Sequence, residues 1–321
     1  MNDLSLFLME NYGIDVVSIL SVKGGWSTKA AYRVTGDDGI EYFVKIYDKR
    51  LPTISSIIDR IAVYMPVLDW LSKTPGLYGR ILTPVRALNG DYRAETDEDI
   101  ITIFLFIDGG TVGIYKLSVE QTIELAETLA KLHEVSIDKS IVTSELNEDI
   151  SLSFCERLID FLDSPEEVAN FENNNLVALI SSNIKVLRKA AVEALNLRDT
   201  LRVGYPQLVF IHGDAHGNNI IQGEHLVLAD WDDLRVAPAE ADLFISDWHN
   251  HGEILLEAYS RFRNGYEINR ELLDFYVLRR RIEDLWVDIE RLTKESPDEV
   301  EAATLLDWVS QSIEGIRELI K

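Results

Sequence analysis

His212-Gly213-Asp214-Ala215-His216-Gly217-Asn218-Asn219, with Asp230-Trp231-Asp232 beginning eleven residues after Asn219, is the stretch on which the reading of this chain turns. It places an aspartate on a glycine-flanked loop, an asparagine five residues on, and a second aspartate after a short hairpin. Two β-rich runs, Leu208 to Ile211 and Leu226 to Ala229, flank the loop. Phosphoryl transfer from a nucleotide uses that set: one carboxylate to position the attacking hydroxyl, and an amide and a carboxylate to hold magnesium on the phosphates. Asp214 is the candidate base: it accepts a hydrogen bond from a hydroxyl, aligns it and takes its proton. Because the transition state is loose, most of its value is positioning. Asn219 and Asp230 offer the hard oxygen ligands that suit Mg2+. Asp232 is a weaker candidate for a supporting or metal role.

The alternation of His212, Asp214 and His216 has a second reading. On a strand all three would share a face, and with Asp230 they would make the ligand set of a metal hydrolase. Gly213 and Gly217 favour a loop instead, and on this reading Asn219 would be idle.

Working outward, the first hundred residues read as strands around a short helical insert. Asp15 to Val22, Ala31 to Thr35 and Tyr42 to Tyr47 are β-rich, with turn chemistry at Gly36-Asp37-Asp38-Gly39. Helical period appears over Ile54 to Tyr64 and Pro66 to Ser72. Strand-like runs return at Ile81 to Ala87 and Ile100 to Phe106, with Asn89-Gly90 turning between them. Val22-Lys23-Gly24-Gly25-Trp26-Ser27-Thr28 joins the first two strands. Gly24 and Gly25 let backbone approach phosphates, and Ser27 or Thr28 can donate hydrogen bonds, although an ordinary hairpin turn has the same composition. Lys45 alternates with Val44 and Ile46 and so points to the side that Phe43 and Tyr47 line.

After Asp108-Gly109-Gly110 the character becomes helical. Ser118 and Gln121 form a capping box, and helical patterns recur around 151–163, 175–196, 239–263, 270–291 and 299–318. The chain has 321 residues, of which 46% are hydrophobic, so a sizeable core is expected and disorder is not. The longest apolar run, Ile100 to Ile107, is eight residues with one threonine inside, too short to span a membrane. Cys155 is the only cysteine and reads as a buried, inert thiol, which fits a reducing cytoplasm. The net charge of −24 argues against nucleic acid or an anionic membrane as partner. The charge divides unevenly: residues 1–107 carry 11 basic and 14 acidic side chains, and residues 108–321 carry 20 and 41. Such a field attracts a cationic small molecule, and it serves a solubilising surface equally well.

In order along the chain, the glycine loop, lysine, apolar crossover, helix, catalytic loop and second aspartate resemble the aminoglycoside phosphotransferase and choline kinase family of small-molecule kinases. The resemblance implies an α+β, bilobal, protein-kinase-like fold. Residues 1–107 would form a nucleotide-binding lobe, an antiparallel sheet with a helix; residues 108–321 would form a larger, mainly helical lobe with the acceptor site. It also implies ATP or GTP as donor and a small hydroxyl compound as acceptor. Lys45 would contact the α- and β-phosphates, and the base would bond to the Leu105 carbonyl and the Ile107 amide in the hinge Phe104 to Gly109. His212, His216 and His133 would be structural, and Asp242 would cap a helix or brace the catalytic loop. Enzymes of this kind usually hold the lysine with a glutamate from the following helix, yet residues 46–94 contain none, and Asp59 is the best-placed acid.

Tyr12-Gly13-Ile14-Asp15 and the segment from Tyr266 through Glu283-Asp284 are similar to spectinomycin phosphotransferases. Acceptor contacts are sought among Asp233, Asp247, Asp284 and Asp288; the last two lie one helical turn apart and would face away from Ile282, Leu285 and Ile289. Ordinary surface pairing, such as Arg280 with Asp284, competes with that role for each of them. Trp231, Trp248 and Trp286 would wall a pocket or pack in the core. The acceptor stays open between an aminoglycoside or aminocyclitol antibiotic and a metabolite such as choline, homoserine or methylthioribose. A catalytically silent nucleotide-binding protein remains the alternative outside that class. A kinase acting on proteins is disfavoured, because no activation segment ending in Ala-Pro-Glu follows Asp230.

Overall fold

The computed structural model describes residues 2–24, 28–50, 55–113, 117–138, 140–164, 174–201, 207–295 and 297–320. Its first element, helix α1 (Asn2–Tyr12), precedes the first strand expected from the sequence and was not among the expected elements. Leu4, Leu8 and Tyr12 stand four apart, and this stripe packs on the sheet that follows. Gly13, at a φ of 70°, ends the helix. The sheet comprises β1 (Val16–Val22), β2 (Ala30–Gly36) and β3 (Glu41–Asp48) and, beyond helix α2 (Ser55–Ser72), β4 (Arg93–Glu95) and β5 (Asp99–Leu105). The strands are antiparallel in the order β1-β2-β3-β5-β4. In β3, Tyr42 and Val44 join Val34, Ile101, Ile103, Leu8 and Tyr12 in one apolar cluster. Lys45 alternates with them and takes the opposite face.

Two expectations change here. The helical insert is one helix with Pro66 inside it, not two segments. An internal proline costs about 3 kcal/mol. Burial of Ile61, Tyr64, Met65, Val67, Leu68 and Leu71 offsets that several times over. The run from Ile81 to Ala87 is extended but is not a strand; it makes only single bridges, Ile81 to Leu228 and Pro84 to Phe104. Pro84 has no N–H to continue a ladder, and the edge is taken by β4 instead.

Beyond the hinge come β6 (Gly110–Thr111) and helix α3 (Val119–Glu134), which opens on the expected capping box of Ser118 and Gln121. A side chain at Gly109 would collide with the Gln222 carbonyl, so this crossover position requires glycine. The remaining helices and strands are α4 (Ser153–Leu162), α5 (Asn174–Ser181), α6 (Ile184–Leu201), β7 (Leu208–Ile211), β8 (Ile220–Gln222), β9 (Leu226–Leu228), β10 (Arg235–Pro238), α7 (Glu240–Leu243), α8 (Gly252–Phe262), α9 (Arg270–Lys294) and α10 (Glu299–Leu319). The architecture is α+β: an antiparallel N-terminal sheet with helices, then a larger, mainly helical part.

By compactness the chain forms two units, residues 1–148 with 208–267, and residues 149–207 with 268–321. The sheet, the hinge and the catalytic segment all belong to the first. There β7 pairs with β10, β8 joins β6 to β9, and α3 packs on α8. The second unit is helical in its described residues, with α9 packed on α10, α6 and α4. Cys155 is fully buried in that unit, and burial pushes its thiol up to about 12. No helix among the described residues is long and apolar enough to cross a membrane.

Candidate active site

The catalytic loop leaves β7 at His212 and turns at Gly213, whose φ is 83°. A Cβ at Gly213 would lie 2.8 Å from the carbonyl oxygen of Asp233, so the two loops meet here at backbone distance. Asp242 anchors the turn: its Oδ2 accepts from the His212 amide (2.8 Å), and its Oδ1 from the Gly213 amide (2.7 Å). His133 Nε2 also bonds to Asp242 Oδ2 (3.0 Å), while His133 Nδ1 lies 2.7 Å from the Tyr259 hydroxyl. Asp242 and His133 therefore brace the loop, and Asp242 lies inside α7 rather than capping it.

His212 ties the loop to the next segment. Its Nε2 donates to the Ala229 carbonyl (2.8 Å), its Nδ1 accepts from the Asp214 amide (3.2 Å), and its ring packs edge-on against Trp231. With both nitrogens engaged, His212 has no lone pair for a metal, which removes the hydrolase alternative. The described residues contain no group of three or more histidine, cysteine or acidic side chains placed to hold a metal ion on their own.

Replacing Asp242 by alanine would strand two backbone amides and a histidine in a fully buried spot. We expect a loss of about 3–5 kcal/mol of stability, the usual cost of removing one partner from a buried charged network. Urea unfolding of Asp242→Ala beside the parent protein measures it, and a loss below about 1 kcal/mol would contradict the bracing role.

Asp214 and Asn219 are in direct contact. The Asn219 Nδ2 donates to the Asp214 carbonyl (2.9 Å) and to Asp214 Oδ2 (2.8 Å). With the amide nitrogen so committed, the Asn219 side-chain oxygen is the atom left to face a cation. His216 Nε2 stands 3.4 Å from Asp214 Oδ2, and its ring lies beside Trp248. Asp230 adopts a left-handed conformation, φ 61° and ψ 66°, costly for a residue with a side chain and tolerated best by asparagine, aspartate and glycine. Its Oδ1 receives the Lys45 Nζ at 2.9 Å, and Asp232 Oδ2 lies 3.5 Å from the same nitrogen.

Lys45 is only 5% exposed. Burial works against its charge, but Asp232, Tyr47 and Asp230 outweigh that and hold the ammonium well above its ordinary range. One ammonium cannot neutralise two neighbouring carboxylates, so they part company. Burial raises Asp230, yet Lys45 brings it below its ordinary value; burial and the Asp230 charge leave Asp232 above its own, despite Lys45.

Asp59 does not take the place of the missing glutamate. It is exposed on α2 and makes no ion pair among the described residues. Helix α2 reaches the site through two residues the sequence reading passed over. Arg60 donates to the carbonyls of Asp232 and Leu234 (both 2.9 Å), and the Tyr64 hydroxyl donates to Asp232 Oδ1 (2.8 Å). Their four-residue spacing puts them on one helical face, a signal already present in the sequence.

In the glycine loop, Gly25 and Ser27 lie outside the described residues. A Cβ at Gly24 would press on Thr28 at 2.9 Å. The Thr28 hydroxyl is buried and has no hydrogen-bond partner among the described residues, so it has a proton to donate. In the hinge, the Leu105 amide donates to the Thr83 carbonyl and the Phe106 amide to the Glu41 carbonyl. The Leu105 carbonyl and the Ile107 amide take part in no backbone bond among the described residues.

The four acids sought as acceptor contacts are not alike. In the first unit, Asp233 pairs with Arg235 (2.7 Å), and Asp247 is exposed at the end of the short helix Phe244–Asp247. In the second, Asp284 pairs with Arg280 (2.8 Å). Asp288 is buried at 7% exposure rather than turned away from the apolar side of α9. Burial, with the Asp284 charge, raises its carboxyl to about 7. Trp231 and Trp286 are core residues, whereas Trp248 is half-buried beside His216 and Phe244.

An antiparallel sheet carrying a buried lysine, a hinge, and a braced loop that sets Asp214 beside Asn219 make up a kinase-like phosphotransferase architecture. The chain belongs to the phosphotransferase enzyme family, whose model matches residues 18–276. In fold it is similar to spectinomycin phosphotransferase, solved with ADP and spectinomycin, at 20% identity over 99% of this chain and 98% of that one, with a TM-score of 0.77. An aminoglycoside phosphotransferase from Alicyclobacillus acidocaldarius subsp. acidocaldarius DSM 446 matches at 14% identity over 95% and 91%, with a TM-score of 0.64. The macrolide 2′-phosphotransferase of Brachybacterium faecium matches at 16% over 96% and 98%, with a TM-score of 0.59. No curated protein is significantly similar to this chain in sequence.

Proposed function

We propose that this protein transfers the γ-phosphate of ATP or GTP to a hydroxyl of a small, cationic acceptor, an aminoglycoside or aminocyclitol in type. The observation that carries this reading is a pair of side-chain contacts within one unit, Asn219 Nδ2 on Asp214 Oδ2 at 2.8 Å and Lys45 Nζ on Asp230 Oδ1 at 2.9 Å, on segments joined by the Ala229 amide bonding to the Asn219 carbonyl at 2.8 Å. Asp214 accepts the acceptor's hydroxyl hydrogen and receives the proton as the new oxygen–phosphorus bond forms and the bond to the departing nucleoside diphosphate breaks. Asn219 keeps that carboxylate aligned through its amide nitrogen. Its oxygen and the Asp230 carboxylate, held ionised by Lys45, are the hard donors that would hold Mg2+. Held by these two residues, such an ion would supply neutralisation of the charge on the phosphates. Lys45 steadies the α- and β-phosphates, the Thr28 hydroxyl donates to them beside Gly24, and the Leu105 carbonyl and Ile107 amide read the base. In this scheme residues 1–107 serve the nucleotide and residues 108–321 the acceptor.

The acceptor class is supported by the similarity in fold to a protein solved with spectinomycin and by the acidic balance of residues 108–321. The same balance speaks against nucleic acid or an anionic membrane as partner, and a nucleotide donor with one buried thiol suits the cytoplasm. The test is a panel of spectinomycin, aminoglycosides, macrolides, choline, homoserine and methylthioribose with Mg·ATP and Mg·GTP, read by mass spectrometry. A singly phosphorylated product is expected from a cationic hydroxyl compound. Nucleotide binding without phosphorylated product or magnesium-dependent nucleotide hydrolysis would favour a silent binding protein instead.

A further inference from the structure

The lysine that lacks its helix glutamate still needs a permanent partner. Asp230 cannot be that partner alone, because on the function proposed above its carboxylate would also hold the metal. Asp232 can. Its Oδ2 lies 3.5 Å from Lys45 Nζ, and its Oδ1 is already occupied by the Tyr64 hydroxyl at 2.8 Å. Tyr64 is 1% exposed, and Arg60 holds the backbone at and just after Asp232 through the Asp232 and Leu234 carbonyls. A carboxylate with one oxygen bonded to a buried hydroxyl and its main chain bonded to an arginine has little freedom to leave.

We propose that Asp232 is the positioning residue for Lys45, and that α2 acts on the lysine indirectly, through Tyr64 and Arg60, where a helix glutamate would act directly. The path runs from the helix to the loop after β9 and from there to β3, so α2 holds the lysine by holding the metal-side loop. Asp232 touches no substrate on this account; its effect reaches the nucleotide only through the Lys45 ammonium. The inference rests on the nucleotide reading of the site, and its test keeps the two apart.

The test is a double-substitution cycle on nucleotide affinity with Tyr64→Phe and Lys45→Met, using Mg·ATP and, as a control without phosphates, adenosine. Tyr64→Phe keeps the buried ring and removes one hydroxyl, so the protein is expected to fold. The variant should bind Mg·ATP about tenfold more weakly, in line with one lost hydrogen bond to a charged group, while adenosine affinity stays within about twofold. In the Lys45→Met background the same change should cost less than about twofold. Equal losses for ATP and adenosine, or the same loss with and without Lys45, would overturn the inference and make Tyr64 a packing residue. Lys45→Met binding Mg·ATP as tightly as the parent would instead remove the phosphate role of Lys45, and this inference with it.

Discussion

Asp214→Asn is expected to lower kcat by about 10²–10⁴-fold, the range associated with a positioned proton acceptor, and to leave nucleotide affinity within about twofold. Asparagine has the same shape, so the contact with Asn219 survives after an amide flip, and His212 and Asp242 continue to hold the loop by its backbone. What disappears is the carboxylate assigned to take the proton. Steady-state kinetics on the acceptor found by the panel, with an ATP titration alongside, separates the two quantities. A kcat within about threefold of the parent would take Asp214 out of its role.

Asp230→Asn should be at least as damaging, by a different route. The left-handed backbone at this position suits asparagine, so the fold is expected to persist. Lys45 keeps Asp232 as a counter-charge and stays protonated. The lost group is the ionised oxygen donor, and a neutral amide is a far weaker ligand for a hard cation. We expect kcat to fall by about 10³-fold or more, as for other lost transition-state charge stabilisation, and ATP affinity to stop responding to magnesium. Calorimetric titration of ATP with and without magnesium reads this directly. An unchanged magnesium response in Asp230→Asn would assign the ion to other ligands.

The catalytic segment was legible because its chemistry is local. Asp214, Asn219 and Asp230 fall within seventeen residues, and the glycines around them force a loop. The strands flanking the glycine loop were legible for a similar reason: a period of two with turn residues between. The support of Lys45 was not. Arg60 and Tyr64 meet Asp232 across 172 and 168 residues of sequence, and nothing in the local pattern of α2 says which of its polar residues will face inward. A rule about glutamate drew attention to Asp59, whereas the fold used a tyrosine and an arginine to hold a different carboxylate. Pro66 misled in the other direction, because a local rule about helix breaking yields to the burial of six apolar neighbours. The burial of Asp288 was equally hidden: its four-residue spacing from Asp284 is visible in the sequence, but the packing around α9 is not.

The position of the divalent ion decides between these roles. Crystals of the protein grown with Mn2+ and a non-hydrolysable ATP analogue, measured at the manganese absorption edge, would place the ion by its anomalous signal. The peak is predicted between the Asn219 side-chain oxygen and the Asp230 carboxylate, with the phosphates completing its shell. A peak on the imidazoles of His212 and His216, or a bound nucleotide with no ion at Asn219 and Asp230, would contradict it.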